Sequence, residues 1–192
     1  MLSVVIATQD SERTLLPTLA ALVPGAAAGI VRDVIVADAG SRDATLAVAD
    51  VAGCRVLSSN AGRGVRLKDA AGAARGRWLL FLQPGIVPEA GWVGETRRFI
   101  EEAEIDGRAE SRAAAFRAAP ATPRPTLSEA FAILCAALGV PNDGNHGLVI
   151  AKALYAALGG HRDVDEPERD LVRRLGRHRV ALLRCRAAYT DT

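Results

Sequence analysis

Apolar and polar positions fall in blocks along the first half of this chain. Leu2 to Ala7 is a nearly unbroken apolar run with β-branched residues, which predicts a short buried strand. Thr8 to Ser11 is polar, and Ser11 stands where a helix cap is wanted, so a helix is predicted from Glu12 to about Val23. Asp33 to Ala37 predicts a second strand, ending in Asp38-Ala39-Gly40-Ser41, before a helix from about Asp43 to Val51 and a strand at Cys54 to Leu57. Asn60-Ala61-Gly62-Arg63-Gly64 reads as a loop, and Val65 to Arg75 as a helix stopped by Gly76. Trp78 to Leu82 is a fourth strand, broken by Pro84-Gly85. This βαβαβαβ alternation predicts an α/β fold of three layers, a mostly parallel central sheet with helices on both faces.

The second half is less regular. Gly91 to Ala103 reads as a helix and Arg112 to Ala118 as a strand, followed by a stiff Pro120-Pro123-Pro125 connection. A helix is predicted at about Leu127 to Leu138, a turn-rich loop at Asn142 to Gly147 and a short strand at Leu148 to Ile150. Helices near Ala151 to Leu158 and Pro167 to Leu175 precede a last strand at Arg179 to Arg184. The residues beyond the prolines make a poor independent core, so one domain is expected over 1–192, with halves at 1–118 and 126–192.

Composition narrows the function classes. With 192 residues, 49% apolar and 24% charged, the chain is expected to be globular, and its net charge of +2 argues against a nucleic-acid binder. Cys54, Cys135 and Cys185 form no CxxC pair, and no zinc-like spacing links them to the histidines; sparse, odd cysteines suit a reducing cytoplasm. Thr14 to Val31 is uncharged, but Pro17, Pro24, Gly25 and Gly29 interrupt it, so a transmembrane segment is not expected.

In an open parallel sheet, ligands bind beyond the carboxyl ends of the strands. The residues expected there are Thr8 and Asp10, Asp38 to Ser41, Ser58 to Gly64 and Gln83 to Gly85. A strand-end carboxylate accepts hydrogen bonds from a base or ribose. Gly62-Arg63-Gly64, with Arg66 one turn on, offers amides, a helix N-terminus and guanidinium groups, the ingredients of a pyrophosphate site. The same residues also read as a plain turn and helix cap. Neither GxGxxG nor GxxxxGK[ST] is present, which disfavours a dinucleotide enzyme or a P-loop ATPase.

The order of segments adds a resemblance. Ser3 to Thr8 and Val34 to Thr45 resemble the first two strand-end motifs of family-2 glycosyltransferases, nucleotide-sugar enzymes of the GT-A fold. The likeness continues through Gly62-Arg63-Gly64, Ala70 to Gly76, Trp78 to Leu82, Gly144 to Val149, Leu158-Gly159-Gly160 and Asp170 to Gly176, and is nearest a small bacterial subgroup. It implies that Thr8, Glu12 and Asp38 border the base and ribose of a UDP- or GDP-linked sugar, with Arg63 and Arg66 facing the pyrophosphate or sugar. His146 and Trp92 would then lie on the acceptor side.

Three departures accompany it. Gln83-Pro84-Gly85 replaces the Asp-x-Asp segment that holds a divalent metal, so no cofactor is expected and binding of Mg²⁺ or Mn²⁺ is in doubt. Asn145 stands where the subgroup shows an aspartate, and Pro167-Glu168 replaces the catalytic Glu-Asp pair. Glu168 is the candidate general base for inverting transfer to an unknown acceptor. Its alternative is a capping box, Asp165-x-x-Glu168, with Pro167 in the first turn. Two functions compete: a metal-independent transferase using Arg63 and Arg66, with Lys68 a further candidate, against leaving-group charge, and an inactive relative serving as a nucleotide-binding or protein-interaction module. A nucleotidyltransferase ranks below both, and an oligomer is compatible with either.

Overall fold

The apolar blocks assemble into one eight-stranded sheet in a computed structural model that describes residues 1–119 and 146–190. The alternating half comprises β1 (Leu2–Thr8), α1 (Glu12–Ala27), β2 (Val31–Asp38), α2 (Thr45–Val51), β3 (Arg55–Ser58), α3 (Arg63–Ala73) and β4 (Trp78–Leu82). Then come β5 (Ile86–Pro88), α4 (Trp92–Ile105), β6 (Ala113–Ala118), β7 (Leu148–Ala151), α5 (Lys152–Ala157), α6 (Pro167–Leu175), a 3-10 turn (Arg177–Arg179) and β8 (Val180–Tyr189). The helix predicted at 127–138, Cys135 and Asn145 lie outside the described residues.

The sheet order is β3-β2-β1-β4-β7-β6-β8-β5. β1 pairs in parallel with β2 and β4, and β2 with β3. Strands are added in one direction up to β3 and in the other from β4, so the loops after β1 and β4 diverge and leave a crevice at their carboxyl ends. Beyond β4 the sheet is mixed: β7 is antiparallel to β4 and β6, β8 is parallel to β6, and β5 is antiparallel to β8. Two antiparallel steps restore the starting direction. β6 and β8 therefore also end at the crevice edge.

β1 and β4 are buried along their whole length because helices cover both faces of the central strands, which explains their nearly continuous apolar sequence. On one face Phe81 meets Tyr155 and His161, with ring centroids 5.1 and 4.7 Å apart. On the other, Trp78 meets Phe99 of α4 edge-on at 5.8 Å.

Three local expectations change. Helix α1 does not stop at Val23 but runs through Pro24 to Ala27, where Ala28 N–H donates to the Pro24 carbonyl at 3.0 Å. Ser11 makes no cap; Asp43 Oδ2 instead accepts from Glu12 N–H at 3.0 Å, so α1 is capped from the β2–α2 loop. β8 extends to Tyr189 because its second half is paired on both sides, by β6 and β5.

The α1 extension carries Gly25 under the Trp92 indole. A Cβ there would stand 2.6 Å from the ring, whose Nε1–H donates to the Ala21 carbonyl at 2.9 Å. The indole is 2% exposed and has no room to withdraw. Gly25→Ala is therefore expected to destabilise the protein by about 1–3 kcal/mol through overpacking, despite alanine's better helix propensity. Urea unfolding of the two proteins measures it, and an unchanged or higher midpoint would contradict the packing described.

Candidate functional site

The loops after β1 and β2 hold each other. Arg42 N–H donates to Asp10 Oδ1 at 2.7 Å, and Asp10 N–H donates to Ser41 Oγ at 2.9 Å. Ala44 N–H, at the start of α2, donates to Glu12 Oε2 at 2.8 Å, while Asp43 receives the Glu12 amide. Each helix is thus capped by a carboxylate from the first turn or entry loop of the other. These bonds hold Asp10 at φ 45°, a left-handed conformation that costs a non-glycine residue about 1 kcal/mol or more.

Asp38 organises the turn behind them. It accepts from Thr8 Oγ1 at 2.8 Å, Gly40 N–H at 2.7 Å, Ser41 N–H at 2.8 Å and the Ser41 hydroxyl. Burial alone would raise its pKa, but the Ser41 hydroxyl and amide, the Thr8 hydroxyl and the Gly40 amide outweigh burial and hold it below the usual value. A carboxylate offers about four lone-pair sites. In Asp38 protein donors fill them, so here it shapes the loop rather than presenting a free oxygen to a ribose.

Arg66 also turns inward. Its Nη1 donates to the carbonyls of Thr8, at 3.1 Å, and Ala37, and its Nε to Ala61 at 3.2 Å. The residue is 7% exposed, and its guanidinium ties α3 to the ends of β1 and β2. The sequence places Arg66 toward a pyrophosphate; the structure commits its Nε and Nη1 to backbone oxygens, whose partial charge it neutralises.

The Gly62-x-Gly64 motif has a different use from the one its sequence suggests. A Cβ on Gly64 would stand 1.8 Å from the Arg162 carbonyl oxygen, and one on Gly62 would stand 1.8 Å from Asp163 Oδ1. Glycine at 64 is needed so that the backbone before α6 can lie on the N-terminus of α3, and glycine at 62 leaves room there for the Asp163 side chain. The Asp163 carboxylate thereby reaches the helix end where an anion is favoured.

Between the two glycines, Arg63 meets Glu168. Arg63 Nε and Nη2 donate to Glu168 Oε1 at 2.8 and 2.6 Å. A cation at the start of α3 opposes that helix dipole, and Glu168, in the first turn of α6, offsets it. The capping box is absent, since the N-cap of α6 is Glu166 and no side chain bonds there. Asp170 instead binds Arg173 and Arg174 at 3.1 and 2.8 Å, and Arg174 Nη2 reaches the Gly160 carbonyl at 2.7 Å.

His161 lies beneath this pair. The Tyr155 hydroxyl accepts from His161 N–H at 3.0 Å and shares a second hydrogen bond with His161 Nδ1, also at 3.0 Å. Among the described residues the buried His161 Nε2 has no hydrogen-bond partner. Burial pushes the His161 pKa down to about 4, with Arg174 and Arg63 adding and Glu168 and Asp170 opposing.

The remaining candidates divide. His146 precedes Leu148, which pairs with Phe81, so it stands at the crevice edge beside the end of β4. Trp92 does not line that edge; it is a packing residue between α4 and α1. Beyond β4, Gly85 N–H donates to Thr14 O at 2.8 Å and Thr18 Oγ1 at 2.9 Å, and Thr190 N–H donates to Gly85 O at 2.8 Å, fixing this turn on α1 and β8. A divalent cation of the Mg²⁺ type requires several oxygens, anionic ones by preference. Gln83-Pro84-Gly85 supplies no carboxylate, and among the described residues no group of three or more His, Cys, Asp or Glu side chains is placed to hold a metal. Among the described residues, this turn offers a cation no anionic oxygen. Asp10 stands at the strand ends where the sequence places it, whereas Asp163 and Asp43 are site residues that the sequence did not announce; the paired glycines at 62 and 64 were the available signal for the first.

The family model described as glycosyl transferase family 2 matches residues 3–134 of this chain. No curated protein sequence matches it significantly. Among solved structures, glucosyl-3-phosphoglycerate synthase from Mycobacterium tuberculosis, in complex with Mn²⁺, UDP and glucosyl-3-phosphoglycerate, is similar at TM-score 0.70 and 20% identity, over 100% of this chain and 72% of that one. TarS from S. aureus in complex with UDP is similar at TM-score 0.71 and 16% identity, over 100% of this chain and 60% of that one. Its complex with UDP-GlcNAc gives TM-score 0.71 at 16% identity, over 100% and 59%. At these identities the likeness is one of fold, the GT-A fold.

The buried imidazole sets a pH dependence. A histidine whose pKa falls from 6.5 to about 4 on folding leaves stability intact above the higher value and erodes it as pH drops toward the lower. Between pH 7.5 and pH 5 the loss is expected to be about 2 kcal/mol. The lowered carboxylates Asp38 and Asp170 act only below their ordinary 3.8. Urea midpoints at the two pH values should therefore differ in the natural protein and converge in His161→Gln; a flat profile in the natural protein would contradict the assignment.

Proposed function

Because the chain belongs to glycosyl transferase family 2, we propose that it transfers a sugar from a nucleoside diphosphate, UDP by preference, to an acceptor hydroxyl with inversion and without a resident divalent metal. Residues 1–118 hold the donor and residues 126–192 build the acceptor side. The observation that carries this reading is the meeting of Arg63 and Glu168, brought from the two halves to the helix ends beside the crevice. Arg63 is the cation available to the diphosphate. When the phosphate draws it away, Glu168 is free to take the proton of the acceptor hydroxyl. The acceptor oxygen then bonds to the anomeric carbon as the carbon–oxygen bond to the diphosphate breaks on the opposite side. The proton rests on Glu168, and the nucleoside diphosphate leaves with the bond's electrons, stabilised by Arg63 and the α3 amides.

The UDP and UDP-sugar complexes of the similar structures support the donor class. The Mn²⁺ beside UDP in one of them supports a metal-dependent alternative, against which stands the acid-free turn at Gln83. One observation favours an inactive relative instead: protein groups already fill the oxygens of Asp38 and the Arg66 Nε and Nη1 donors.

Calorimetric titration with UDP and UDP-glucose, in Mn²⁺ and again in EDTA, separates these readings, with GDP as the comparison. Affinity is expected to be the same in both media and at least about tenfold weaker in Arg63→Ala, the effect of one charged phosphate contact. Binding abolished by EDTA would overturn metal independence. Failure of every nucleotide to bind would leave the inactive relative.

A further inference from the structure

Three arginines stand together at the crevice ends of β6 and β8. Arg117 and Arg186 are direct partners across the parallel pair, a Cα separation of about 4.8 Å. Arg184 is exposed two positions before Arg186, where buried Leu183, Cys185 and Ala187 take the opposite face of β8. The register shifts between Ala115 and Arg117, a bulge of the kind that re-aims side chains near sites.

Register also tells which way they face. Phe81 pairs with Leu148, and Leu148 with Ala115, so Ala115 and Arg117, two residues apart on β6, share the face of Phe81. That face carries Tyr155 and His161, and it is the one on which α6 presents Glu168. Only β7 separates β6 from β4, so Arg117 lies about 10 Å along the edge from the end of β4.

Like charges directly opposite on neighbouring strands weaken a sheet. Among the described residues, no carboxylate lies within ion-pair distance of the three guanidinium groups. The nearby acids Glu89 and Glu95 are engaged by the backbone amides of Arg186 and Arg184, at 3.1 and 3.2 Å, and Glu95 also by Arg98 at 3.0 Å. A local conflict left uncompensated at a ligand edge marks a site whose partner comes from outside.

We propose that Arg117 and Arg186, with Arg184 beside them, bind the phosphate of a phosphorylated acceptor and turn its hydroxyl toward Glu168. The acceptor role rests on the transferase reading above; the phosphate site does not. Paired guanidinium groups match a phosphomonoester dianion, to which each donates two hydrogen bonds.

Glycerol 3-phosphate is the soluble probe, glycerol its uncharged control, and vesicles containing phosphatidic acid present the same group on a lipid. Calorimetry and vesicle sedimentation are run on the natural protein, on Arg117→Gln/Arg186→Gln, and on Arg75→Gln/Arg77→Gln, which removes equal charge at the far end of β4. Saturable binding of glycerol 3-phosphate, at least tenfold weaker in the first variant and unchanged in the second, is the expected result. Binding seen only with vesicles, and lost in the first variant alone, supports the phosphate site and assigns it to a lipid headgroup. Absence of binding to both probes, or equal loss in the two variants, overturns the proposal. UDP titrated into the same samples judges the transferase reading separately, since the first variant should bind it unchanged.

Discussion

The close approach of the segment before α6 to the N-terminus of α3 is the constraint on which the rest of the crevice depends. It requires glycine at 64, because any side chain there would meet the Arg162 backbone, and glycine at 62 leaves the Asp163 carboxylate its place. With the two helix starts pressed together, Arg63 and Glu168 fall within hydrogen-bonding distance, although one lies in the alternating half and the other near the end of the chain. The contact also buries His161 and the Tyr155 hydroxyl against Phe81. A half-buried ion pair of this kind contributes little net stability once desolvation and screening are counted. Its consequence is positional: two groups of complementary chemistry are held beside the ends of the central strands.

Around that contact the protein satisfies its own charges. Asp38 is filled by four donors, Arg66 closes on strand-end carbonyls, and Glu12 and Asp43 exchange caps between α1 and α2. Such reciprocal bonds are cooperative, since losing one leaves its partner's group unsatisfied in a partly buried setting. The scaffold of the crevice is therefore rigid. The groups that retain adjustable chemistry are Arg63, Glu168, His146 and the arginines of β6 and β8.

Much of the fold was legible because buried central strands advertise themselves as continuous apolar runs: Trp78–Leu82 is read from sequence with the bounds it has in three dimensions. What escaped was set by tertiary contact. β5 is a three-residue strand ending in proline, paired with β8, and α1 continues past Pro24 where Trp92 packs on Gly25. The site was half legible. Thr8, Asp38, Arg63 and Arg66 stand beside the strand ends where the sequence places them, yet their hydrogen-bond partners were not legible, because most come from segments that no spacing rule connects. Glu168 illustrates the difficulty: its sequence fits a capping box, and only the packing of α6 on α3 turns its carboxylate to Arg63 instead.

In the proposed reaction Arg63 is held by Glu168 until a diphosphate takes it. The most direct measurement is the affinity for UDP in the natural protein and in Glu168→Gln, a nearly isosteric change that removes the competing charge. If Glu168 competes with phosphate for the guanidinium, Glu168→Gln binds UDP about three- to tenfold more tightly, the release of roughly 1 kcal/mol of ion pairing. Unchanged or weaker binding would show that Arg63 serves the structure of the helix junction and not the ligand.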